Sequence, residues 1–169
     1  MASDDDLTRR ALARIARSND PKELRKMADN AGNAENHIVK EAALRKLYEV
    51  RPSAEVGTLE HAVWQSIFAL EDALTEERGK TTRLARTRQK IAREGELQTV
   101  ADLVKKSASE GYRMLIERGW PELTFEYVAL QFPGRFAPHI LGAAEARLSE
   151  SGVELKSARH PADDVYRVV

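Results

Sequence analysis

Residues 59–94 read LEHAVWQSIFALEDALTEERGKTTRLARTRQKIARE. Within this stretch Val63, Ile67, Leu70, Leu74, Glu77, Thr81, Leu84, Arg88 and Ile91 recur at steps of four and three. That is a heptad register, which lays one stripe along a helix, with Glu77, Thr81 and Arg88 as polar members of the seam. Thr58 stands where an N-cap belongs. Unbroken, the helix would run about 54 Å at ~1.5 Å per residue. Gly79 is its weak point, costing roughly 1 kcal/mol against Ala. The apolar phase is the same on both sides of Gly79, which favours a continuous helix. A split there into two antiparallel helices is the alternative. Polar seam residues fix register and partner choice, so the pattern predicts a homodimer through the central helix, in the manner of a coiled coil.

The same stretch carries an unusual charge distribution. The whole chain has 169 residues, 27 basic and 27 acidic side chains, and no net charge. From Arg78 to Arg93 there are seven basic residues and no acid: Arg78, Lys80, Arg83, Arg86, Arg88, Lys90 and Arg93. The neutral total therefore hides one positive segment offset by a mildly negative remainder. A non-specific nucleic-acid coat over the whole molecule is excluded, and a localised contact is not. On a helix, Arg83, Arg86, Lys90 and Arg93 share roughly one face, and Lys80 extends it by a turn. Such a ladder suits successive phosphates. The competing reading pairs these cations with acids, either on a neighbouring helix or across a dimer in which Glu71, Asp72, Glu76 and Glu77 meet the partner's basic half.

The flanks are helical too. Asp4–Asp6 suit a helix start, followed by Leu7, Ala11 and Ile15 on one face. Asp20-Pro21-Lys22-Glu23 forms a capping box with Pro at the first helical position. Leu24, Met27 and Ala28 follow, with Gly32 as the stop. Asn33 is placed to cap a third helix with Ile38, Ala42, Leu44, Leu47 and Tyr48 inward. Arg51-Pro52-Ser53 ends it. The joint between an N-terminal helical domain, 1–94, and a compact aromatic-rich module, 95–169, is placed at residues 94–99. Thr99 caps 100–106, and shorter helices follow before Gly119, before Pro133 and from Pro138 to Ser149. Val153-Glu154-Leu155-Lys156 and Val165-Tyr166-Arg167-Val168 alternate with period two and predict a β-hairpin. The fold class expected is mainly α, with a long central helix and a small C-terminal module ending in that hairpin.

Helices near 109–118, 122–131 and 138–149, followed by a hairpin near 153–169, stand in the order of a winged helix-turn-helix. Ala146-Arg147-Leu148-Ser149-Glu150-Ser151-Gly152-Val153 resembles the end of a recognition helix passing into a wing. His160-Pro161-Ala162-Asp163-Asp164-Val165-Tyr166-Arg167-Val168 resembles a wing tip and return strand. The resemblance covers about 60 residues. It implies that Pro138–Glu150 is the recognition helix and that Lys156, Arg159, His160 and Arg167 belong to the wing. One departure matters. The outer face of that helix offers His139, Gly142, Ala143, Glu145, Ala146 and Arg147, a poor set for reading base edges.

No catalytic set stands out. Gly79-Lys80-Thr81-Thr82 looks like the end of a phosphate-binding loop, but Leu74 stands where the first glycine belongs. His37, His61, His139 and His160 lack metal-ligand spacing, and no serine sits in a nucleophile elbow. There is no cysteine, which removes thiolate sites and fits a reducing compartment. Trp120, Phe125, Tyr127, Phe132 and Phe136 read as core rather than as a base-stacking platform. No apolar run approaches ~18 residues and no signal-peptide layout opens the chain, so a soluble cytoplasmic protein is expected. The expectation is a non-enzymatic DNA-associated regulator without cofactor or metal. Lys80, Arg83, Arg86, Arg88, Lys90, Arg93, Lys156 and Arg159 would touch nucleic acid. The alternative is a helical adaptor whose basic stripe meets acidic protein surfaces.

Overall fold

The computed structural model describes residues 3–155. Every regular element in them is a helix, with no strand among the described residues. The chain divides into two compact units, Met1–Ser53 and Ala54–Val169. The expected joint at 94–99 falls inside the second.

The first unit holds α1 (Asp4–Arg17), α2 (Pro21–Asn33) and α3 (His37–Val50). α3 packs on both of the others. Ser3 caps α1 through the Asp6 amide, and Asp20 caps α2 through the Lys22 amide. The capping box is only half formed. Instead of reaching back to Asp20, Glu23 accepts from Ser18 Oγ at 2.6 Å and from Arg14 Nε at 2.6 Å. Those bonds hold its carboxyl below the ordinary carboxylate range. α3 is capped by Asn36, not Asn33, because α2 runs through Gly32 and takes Asn33 as its last residue. Leu44, Leu47 and Tyr48 are buried as expected, and only the first half of the inward face lies one position later. Val39 and Ala43 are buried, whereas Ile38 is exposed.

The second unit holds α4 (Leu59–Arg78), α5 (Ala85–Lys105), α6 (Glu110–Glu117), α7 (Phe125–Gln131) and α8 (Pro138–Glu150). Short 3-10 turns over Pro121–Leu123 and Pro133–Arg135 flank α7. The single long helix is corrected here. α4 stops at Arg78 because Gly79 takes a left-handed conformation, φ 65° and ψ 16°. The chain then reverses. The Thr82 amide donates to Thr75 Oγ1 at 2.9 Å, Arg88 meets Glu71, and Trp64 Nε1 donates to Glu96 at 3.0 Å. Numbers falling on α4 pair with numbers rising on α5, so the two helices are antiparallel.

The constant apolar phase across Gly79 thus has another cause. Both helices turn the same stripe toward one shared core. Leu59, Val63, Ile67, Ile91, Val100 and Val104 are buried there with Val128, Phe136, Ile140 and Ala144. The apolar members Val63, Ile67, Leu70, Leu74 and Ile91 of the seam are buried within the chain itself.

Gly79 gives a sign test. At positive φ an Ala costs roughly 1–2 kcal/mol. In a continuous helix the same change would stabilise by about 1 kcal/mol. Denaturant unfolding of Gly79→Ala is expected to show the loss.

Gly95 is a second break, with φ 83° and ψ 169° inside α5. Thr99 does not start a separate helix. It is buried, and its hydroxyl donates to the Gly95 carbonyl at 2.8 Å. The C-terminal hairpin is corrected as well. Val153 and Leu155 form no strand and pack on the cluster of Tyr112, Tyr127 and Leu148. The expected second arm, Val165–Val168, and the wing residues Lys156, Arg159, His160 and Arg167 lie outside the described residues. What stands is a mainly α fold, with no hairpin strand among the described residues.

Candidate anion-binding site

The basic run does not form one ladder. Lys80 and Arg83 sit in the loop after Gly79, and only Arg86, Arg88, Lys90 and Arg93 are on α5. Their neighbours sort them into two groups.

Arg88 is a structural residue. Its Nε and Nη2 donate to the two oxygens of Glu71 at 2.7 and 2.8 Å. Its guanidinium also lies 5.1 Å from the Trp64 ring centroid and 5.7 Å from that of Phe68. Glu71 is buried and additionally accepts from the Leu84 amide at 2.9 Å. Burial pushes the Glu71 carboxyl up. The Arg88 and Leu84 hydrogen bonds and the Arg88 and Arg83 charges outweigh it and leave the carboxyl below its ordinary value. Lys90 is engaged too, with Glu94 at 2.5 Å and Asp102 at 2.7 Å. Those bonds raise its pKa and lower that of Asp102. Arg78 reaches Glu110 at 3.4 Å and Arg93 reaches its neighbour Glu94 at 3.8 Å.

Lys80, Arg83 and Arg86 form the other group. All three are exposed, and none makes an ion pair among the described residues. The intramolecular reading therefore accounts for Arg88 and Lys90, and three cations remain clustered at the turn from α4 into α5. α5 begins there with no side-chain cap, so its first-turn amides add to the positive potential.

Beside this corner lies a pocket of about 320 Å³, lined by residues of α4, α5, α6, α7 and α8 and of the loops between them. Its interior is apolar: Leu70, Leu74 and Leu115 are buried, and Leu84, Leu103 and Phe125 partly so. Its exposed margin carries Arg78, Arg83, Lys106 and Glu110. Gly111 lets α6 approach α4 closely here, since a Cβ would stand 2.6 Å from Leu70 Cδ2.

Arg147 closes the inner side. It pairs with buried Glu126 and donates to the carbonyls of Val104, at 3.2 Å, and Lys106. Its guanidinium lies 5.8 Å from the Tyr112 ring centroid. The Tyr112 hydroxyl in turn donates to the Arg147 carbonyl at 3.0 Å. Arg147 was expected on the outer face of a recognition helix. It is instead turned inward and fully engaged.

The pocket was not visible in the sequence. Its leucines follow ordinary core spacing, and its cations come from α4, the turn, the end of α5 and α8. Among the described residues no cluster of His, Asp and Glu could hold a metal ion, and no helix is long and apolar enough to cross a membrane. Comparison with family models, with curated proteins and with solved structures found no match to this chain.

Proposed function

We propose that this chain is a non-enzymatic binding protein that contacts the phosphate backbone of nucleic acid through the α4–α5 turn. The observation that supports this reading is the cluster of Lys80, Arg83 and Arg86, exposed and without ion pairs among the described residues. Cations already tied to carboxylates would have to break those pairs before releasing counterions from a phosphate. Arg88 and Lys90 are therefore removed from the contact.

About three phosphate contacts correspond to a log–log salt slope near −3, from ~0.9 per neutralised phosphate on duplex DNA. Titration of a mixed-sequence duplex at two salt concentrations is expected to give that slope. The triple variant Lys80→Ala, Arg83→Ala, Arg86→Ala should flatten it. Lys90→Ala should leave it unchanged. Absence of binding at low salt rejects the reading. A second reading, a helical adaptor for an acidic protein surface, is favoured by the small size of the free cluster. It requires capture of a partner that is lost in the triple variant and survives nuclease.

A further inference from the structure

We propose that the pocket beside this corner binds a small amphipathic carboxylate, with its apolar body inside and its charged group at the margin. The enclosed volume, about 320 Å³, falls at the low end of the ~300–1,000 Å³ of small-molecule sites. The interior supplies the apolar walls such a site needs. The charges define the other end of the ligand. Four cations and two acids line the pocket: Arg78, Arg83, Lys106 and Arg147 against Glu110 and Glu126. Arg147 is committed to Glu126 and Arg78 to Glu110. Arg83 and Lys106 make no ion pair among the described residues, and both are exposed at the margin. The surplus is positive, so the polar group that fits is an anion. Thr87 and Ser107 place neutral hydroxyls on the same lining.

This site is separate from the nucleic-acid contact and shares only Arg83 with it. Isothermal titration with 1-naphthaleneacetate, a fused-ring carboxylate, tests it, with the uncharged 1-naphthaleneethanol as control. The carboxylate is expected to bind one per chain, and the alcohol about tenfold more weakly, as loss of a charge-assisted bond implies. Arg83→Ala with Lys106→Ala should weaken the carboxylate about tenfold and leave the alcohol unchanged. Leu103→Trp should abolish binding of both by filling the interior. Should that variant fail to fold, Ser107→Trp in the exposed loop obstructs the mouth instead. Lys80→Ala with Arg86→Ala should leave carboxylate binding intact while weakening duplex binding, which keeps the two proposals distinguishable. No binding of the carboxylate overturns the inference. So do equal affinities for acid and alcohol, or binding that survives filling of the pocket.

Discussion

Arg147→Ala is expected to lower the unfolding free energy by roughly 3–5 kcal/mol, the usual cost of removing one member of a buried ion pair. The partners explain the size. Glu126 and Arg147 have side chains only 7% and 16% exposed, so the carboxylate left behind would be both charged and poorly hydrated. Arg147 also donates to the Val104 and Lys106 carbonyls at the end of α5. Helix ends leave such acceptors without intrahelical donors. A single guanidinium thus ties α8 to α7 and to the last turn of α5. Lys at this position has the charge but not the planar fork, and should recover only part of the loss. A double-mutant cycle with Glu126→Ala checks the assignment by denaturant unfolding. Single losses under ~1 kcal/mol that simply add would mean a surface-like pair and would refute it.

Arg147 also shows where sequence reasoning stops. Its position on a helix was legible, since Pro138 at N1 and Gly152 at the end bound α8 well. Its direction was not. The residues that claim it are Glu126 and two backbone carbonyls, remote in sequence and brought together only by tertiary packing. The same limit governs the central stretch. The four-three spacing from Val63 to Ile91 picks out five buried residues, Val63, Ile67, Leu70, Leu74 and Ile91, although its polar members Glu77 and Thr81 are exposed. It cannot tell a stripe that meets another chain from two stripes folded onto each other, because phase survives a reversal at Gly79. The left-handed glycine decides, and a glycine within a helical pattern is compatible with either outcome. Charge counting correctly isolated the run from Arg78 to Arg93. The division between engaged and free cations depends on Glu71 standing opposite Arg88, which follows from the antiparallel pairing, and on Asp102 reaching Lys90 within α5 across the break at Gly95. The hairpin expectation failed for a related reason. Val153 and Leu155 alternate like a strand, yet their apolar side chains are claimed by Tyr112, Tyr127 and Leu148.

Glu71→Gln is expected to cost roughly 2–3 kcal/mol at neutral pH, and the cost should shrink as the solution is acidified. The amide keeps an acceptor for the Leu84 N–H but gives up the charge facing Arg88. Arg88 is then a cation without its carboxylate against Trp64 and Phe68, which is the expensive half of a broken pair. It is partly exposed, so the loss lies below that at Arg147. The pH dependence follows from the direction of the Glu71 shift. Its folded value is held below the ordinary 4.5, so the native state favours the ionised form more than the unfolded chain does. That contribution is fully present above about 4.5, and is lost as pH falls from there through the lower folded value. Glu23 and Asp102 are shifted the same way, and all three make the wild type lose stability in acid. Only the Glu71 part is missing from the variant. The difference between the two stability curves, followed from pH 7 downward by urea unfolding, therefore isolates this one carboxylate. A difference that stays constant with pH would show that Glu71 stabilises the α4–α5 pair by packing and its Leu84 bond, and that its charge contributes nothing.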